Sequence, residues 1–297
     1  MKRRVLLFIV SLLVVCCAAP AFAMDVMMGA KAGYYVWTPF YKDFGASGMS
    51  DIDYGTGMLA GPIVSLLLSP DLTFSLAGLA GRQSTHWQSV FSDFHDPAIK
   101  ITGGYYFDTL RVDVDSALSY RLSDNYKLFV GYKFLYLSTD YKYTELRTTS
   151  GPPPNSIDEI DVMDMRLVTP FHGPALGVGA SFPLSERVFA SANVSGLYMM
   201  GNFKADRLVG YSDDGSGNLV QNTTLSMKSS KMEQFGLNVE PAIGFNPGGG
   251  LPIISLGVRF QWLRVRFTEK RDWNGGETDK WFDDYLYGIF VSAVYVF

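Results

Sequence analysis

The 297 residues hold 25 Lys+Arg against 29 Asp+Glu, a formal net charge of −4, and offer no basic field suited to nucleic acid. Aromatic residues reach 14%, with 17 Tyr and 21 Phe, alongside 30 Gly. Beyond the first residues no apolar run is long enough to cross a membrane as a helix, so the composition fits a soluble β protein or a membrane β-barrel.

The chain begins with Lys2, Arg3 and Arg4, continues with an apolar run from Val5 to Val15, and reaches the small-residue site Ala21-Phe22-Ala23. That pattern is expected of a secretory leader, 1–23, cleaved ahead of a single domain over 24–297. The apolar run is shorter than the ~20 residues of a spanning helix, and Pro20 interrupts its end. Cys16 and Cys17 both lie in this leader. The exported part therefore offers no disulfide framework, thiol nucleophile or cysteine metal site, and no cofactor or metal is expected.

From Asp25 onward, period-two alternation dominates, in runs longer than the about five or six residues of ordinary strands. The expected strands are 26–37, 56–68, 72–87, 101–121, 126–143, 173–184, 188–203, 232–245, 253–269 and 283–297. The pair 56–68 and 72–87 is the least regular, because Met58 to Leu68 is apolar on both faces. In 101–121, Leu110, Val112, Val114, Leu118 and Tyr120 share one parity, and Arg111, Asp113 and Asp115 the other. Leu128, Val130, Tyr132, Phe134 and Tyr136 likewise oppose Lys127, Gly131 and Lys133. Leu176, Val178 and Phe182 oppose only Ala175, Gly177, Gly179 and Ser181. Phe235, Leu237, Val239 and Ile243 oppose Gln234, Asn238 and Glu240, while Leu256, Val258, Phe260 and Trp262 oppose Gly257, Arg259 and Gln261.

The links alternate in length. Short ones fall at Ser69-Pro70-Asp71, Ser123-Asp124-Asn125, Leu184 to Arg187 and Asn246 to Pro252. Long polar ones fall at Thr38 to Tyr54, Gln88 to Lys100, Thr144 to His172, Ala205 to Lys231 and Lys270 to Phe282. Long strands, short turns on one side and long loops on the other predict an all-β, antiparallel up-and-down transmembrane barrel of about ten strands. Eight strands follow if the irregular hairpin is misread, and twelve if a long loop hides a strand pair.

The final run places Tyr285, Tyr287, Ile289, Val291, Ala293, Tyr295 and Phe297 on one parity. It resembles the terminal β-signal of Gram-negative outer-membrane proteins. The resemblance covers the leader, the hairpin rhythm and the last strand. It implies an outer-membrane address, with Tyr295 and Phe297 read by the barrel-assembly machinery and with periplasmic chaperones as further partners.

If the greasy parity touches lipid, the inward set includes Lys31, Arg111, Asp113, Asp115, Lys133, Glu240 and Arg259, with Asn193 and Gln261 beside them. Charges of both signs at similar depth predict a salt-bridged lumen network, with a narrow ion or solute path as the alternative. Arg264 and Arg266 continue the outward parity beyond Trp262, where their forked guanidiniums suit lipopolysaccharide phosphates. Asp113-Val-Asp115 and Asp93-Phe-His95 are similar in residue type to the catalytic groups of the omptin proteases. Both flank one predicted loop-to-strand passage instead of facing each other across the mouth, so no catalytic residue is expected. Ser212 to Asn218 lacks the spacing of a calcium loop, and Gly151-Pro-Pro-Pro154 is a stiff connector. The expectation is a monomeric barrel that displays its exterior loops for interaction or adhesion, in contact with outer-membrane lipid and lipopolysaccharide. A channel and an omptin-like surface protease are the other readings.

Overall fold

A computed structural model describes residues 25–40, 55–92, 99–149, 158–213, 219–224, 229–269 and 280–297. Its strands are β1 (Val26–Thr38), β2 (Gly55–Ser69), β3 (Leu72–Ser92), β4 (Ile99–Arg121), β5 (Tyr126–Thr149) and β6 (Asp158–Pro183). They continue with β7 (Val188–Asp213), β8 (Leu219–Thr224), β9 (Ser230–Phe245), β10 (Ile253–Phe267) and β11 (Phe282–Val296). Neighbours pair antiparallel, β6 joins β7, and β1 joins β11, so the sheet closes on itself. Ten strands form the wall. The remaining one, β8, folds back on the outer end of β7, with Val209 opposite Thr224 and Asp213 opposite Leu219.

Closure depends on the last strand. It runs beside β1 from Met27 opposite Val296 to Thr38 opposite Tyr285, and the Phe297 amide donates to the Val26 carbonyl at 2.9 Å. A closed ring leaves no unpaired edge, which lipid does not tolerate. On the side where both termini lie, the strands turn tightly. The β9–β10 turn places Gly248, Gly249 and Gly250 at φ of 75°, 64° and 75°, a region open to glycine.

The strand expectations agree with the wall at that side to within a residue or two. They fall short on the opposite side, where two predicted loops are largely strand. β5 runs on to Thr149 and β6 begins at Asp158, paired from Thr148 opposite Asp158 down to Tyr126 opposite Ala180. β3 continues to Ser92 and β7 to Asp213.

The reason is an inversion of polarity. In the lower wall the outward residues are apolar and bare: Val178 is 52% exposed, Leu256 62% and Ile289 60%. Higher up, the same outward parity carries Asp140, Arg166, Asn202, Lys204, Arg264 and Arg266, while the inward parity turns apolar with Met165, Leu167, Phe203, Leu263, Val265 and Phe267. Below the inversion the solvent outside is hydrocarbon; above it, the wall is a water-soluble β-barrel around an apolar core. Beyond the lipid the greasy stripe no longer marks the outside, so a pattern keyed to lipid-facing residues ends early.

Candidate functional site

The lumen is filled in tiers. At mid-depth the wall turns seven charged side chains inward, and the structure brings Lys31, Arg111, Asp113, Asp115, Lys133, Glu240 and Arg259 into one connected network. Arg259 on β10 is its hub, with Nη2 3.4 Å from Asp113 and 3.9 Å from Asp115, and Nε 3.3 Å from Glu240. It also donates to Asn238 at 3.1 Å and to Gln261 at 2.9 Å. Lys31 reaches Glu240 at 2.8 Å. Lys133 lies 2.9 Å from Asp115 and 3.8 Å from Asp113, and Arg111 lies 3.5 Å from Asp113.

Four cations face three anions in this network, so the cations also lean on rings. Lys31 Nζ stands 3.8 Å over Phe290, and the Arg111 guanidinium 5.9 Å over Trp37. Arg111 and Asp113 are both wholly buried. Charges removed from water this completely persist only because each has an opposite charge beside it.

Above the network sits an apolar plug. Trp37, Phe40, Phe171 and Leu135 are each no more than 2% exposed. The chain leaving β1 drops Phe40 into the lumen, where its ring meets Phe171 on β6, across the barrel, at 6.3 Å edge to face. Asp284 on β11 pins this inturned segment: its Oδ2 accepts the Trp37 indole N–H at 2.9 Å and the Phe40 amide at 3.4 Å. Phe203, Phe267 and Phe282 stack edge to face above, at 5.8 and 6.3 Å. Sequence reasoning assigns Phe40 to a loop and Asp284 to no role. Their pairing joins positions far apart in the chain, and only the reversal to inward apolar residues at Leu263, Val265 and Phe267 signals a plug.

Below the network the inward residues are mostly small, and the lumen opens toward the short turns in two contiguous cavities of about 260 and 470 Å³. Lys127, Asn193, Ser119 and Ile63 line both.

A second polar feature encircles the outer wall at the inversion. Arg82 pairs with Asp108, Arg166 with Asp140 at 4.0 Å, Arg266 with Glu233, and Arg264 with Asp283 at 3.5 Å. Arg264 and Arg266 thus emerge at the rim as expected from their parity, each opposite a cross-strand carboxylate. Both also flank the Trp281 ring, at 5.7 and 4.5 Å. Each arginine side chain remains more than a third exposed.

Asp113 and Asp115, the acidic half of the protease-like pattern, are bound into the network at mid-depth, away from the mouth; Asp93 and His95 lie outside the described residues. So do Gly151-Pro-Pro-Pro154 and most of the Ser212–Asn218 segment. His172, the last residue of the predicted loop Thr144 to His172, lies within a strand. It faces outward from β6 within the apolar belt, and its Nδ1 lies 2.6 Å from the Tyr132 hydroxyl.

No protein family matches the chain, and no curated protein does. Among solved structures it is similar to the outer membrane protease OmpT from Escherichia coli, at 11% identity and a TM-score of 0.39, covering 92% of this chain and 96% of that one. It is also similar to a major outer membrane protein from Thermus thermophilus, at 13% identity and a TM-score of 0.32, covering 93% and 100%. A third is the outer membrane protein OprG from Pseudomonas aeruginosa, at 9% identity and a TM-score of 0.28, covering 92% and 96%. With a closed ten-stranded wall, an apolar outer belt and charges turned inward, the chain has the architecture of a transmembrane β-barrel.

Proposed function

We propose that this protein is a sealed barrel of the Gram-negative outer membrane whose exterior extension serves surface interaction. The observation that carries this reading is the length of the wall. β6 and β7 are each 26 residues long, whereas about 9–11 residues suffice to cross a bilayer. At about 3.3 Å per residue and a tilt of about 40°, such a strand rises about 65 Å, far more than the ~25 Å of an apolar belt. More than half of each therefore stands in water. A rigid wall carrying long loops is a common platform for recognition.

The alternative of a narrow channel has the periplasmic cavity in its favour, but the charge network and the Phe40 plug stand across any path. No catalytic role is assigned. The leader 1–23, the assembly machinery acting on Tyr295 and Phe297, lipopolysaccharide at Arg264 and Arg266, and a monomeric state belong to the same proposal. The test removes the register-matched tip of the β5–β6 hairpin, residues 145–161, joining Thr144 to Val162. Cells displaying the intact protein should aggregate or adhere to immobilised matrix proteins more than cells displaying the trimmed one at equal surface level. Equal behaviour of the two would defeat the surface-interaction reading.

A further inference from the structure

The periplasmic vestibule holds polar groups that the seal does not use. Lys127 and Asn193 point inward from β5 and β7, with Gly179 of β6 between them in register. The Lys127 stem lies flat across Gly179: a side-chain carbon there would collide with the Lys127 Cε and with Asn193 Oδ1. The glycine thus clears a bed that brings the ammonium beside the carboxamide. Neither group has a hydrogen bond or ion pair among the described residues. Both face the two cavities.

Phe129 and Phe189 form apolar walls of the inner and outer cavity respectively, Phe129 on the inner side of the Lys127–Gly179–Asn193 row and Phe189 toward the mouth. Each ring lies against a glycine of the neighbouring strand, Phe129 on Gly177 and Phe189 on Gly244, where any side chain would strike it. The other charges on these walls fall into two groups. Lys31, Lys133, Arg259, Asp115 and Glu240 stand above, already mutually paired, and Arg121, Asp71 and Asp124 stand at the mouth. Among the described residues, Lys127 is therefore the cation in the vestibule's interior that lacks a counter-ion.

We infer that the vestibule binds a small organic anion from the periplasmic side. Its carboxylate is held by the Lys127 ammonium and the Asn193 carboxamide, and its flat apolar body lies along Phe129, which lines the inner cavity with them. An ammonium beside a carboxamide that turns its N–H toward the ligand suits a carboxylate oxygen pair, and a charge-assisted bond within a cavity is stronger than one in open water. The aromatic wall gives an apolar body a reason to enter that a bare inorganic anion lacks.

The test uses the purified protein in lipid nanodiscs, its folded state checked by circular dichroism, and titrates sodium benzoate by calorimetry. Saturable binding is expected, weakened about tenfold or more in Lys127→Gln and in Asn193→Ala, and likewise weaker for neutral benzyl alcohol. Absence of saturable benzoate binding to the unaltered protein would overturn the inference, as would unchanged affinity in both folded variants. Inorganic phosphate binding as tightly as benzoate would overturn the role given to Phe129. Because the vestibule lies beneath the seal, none of these outcomes bears on the surface-interaction reading.

Discussion

Asp113 holds the seal together from the position least able to stand alone. It is wholly buried, and Arg259, Arg111 and Lys133 converge on it within 3.4 to 3.8 Å. Asp113→Asn leaves those cations without their shared counter-ion, and removing one partner of a buried ion set costs about 3–5 kcal/mol. Urea unfolding in lipid vesicles should show a loss of that size; a change below about 1 kcal/mol, typical of an exposed pair, would deny the network its structural role. At the rim, Arg264→Ala with Arg266→Ala should lower the lipopolysaccharide that co-purifies with the barrel. Unchanged co-purification would leave those residues to Asp283, Glu233 and Trp281 alone. The residues of the network are legible in the sequence because a charge on the parity opposite a greasy run has nowhere to go but inward. Phe40 and Asp284 are not, since Phe40 lies beyond the predicted end of its strand, Asp284 opens a run whose inward parity is otherwise uncharged, and they meet only once β1 and β11 have closed the ring.

At the scale of the strands, one rule accounts both for what the sequence reveals and for what it hides. Where Leu256, Val258 and Phe260 alternate with Gly257 and Arg259, lipid dictates the pattern and the strand is visible. From Leu263 to Phe267 in the same strand the apolar residues occupy the inner parity, because the outer one meets water. In β6 this inverted stretch, joined to the polar segment before it, resembles a loop, and the ends at the short turns are read accurately because no such inversion occurs there. The rule can be tested by moving a charge along the outer face. Val258→Arg, within the belt, should cost about 2–4 kcal/mol in the same unfolding assay, whereas Asn202→Arg, above the inversion, should cost less than about 1 kcal/mol. Similar costs at both positions would misplace the membrane boundary. The terminal strand makes a further claim: deletion of Phe297, which closes against Val26, should lower the assembled fraction in outer-membrane preparations, and an unchanged fraction would remove its assembly role.

For the molecule as a whole, apolar belt, charged rim, plug, network and vestibule follow one another along a single closed wall. The barrel's outer surface is solvated twice, by lipid below and by water above, and its interior compensates each time with the opposite polarity. Among the described residues, that arrangement makes the lumen a packed core through its upper half and leaves a vestibule on the side of the short turns. The most direct measurement is single-channel recording in planar bilayers, with insertion verified independently by protease protection of the reconstituted protein. A wall closed by Arg259, Asp113 and Phe40 gives a silent bilayer. Steady unitary openings from correctly inserted protein would contradict the seal.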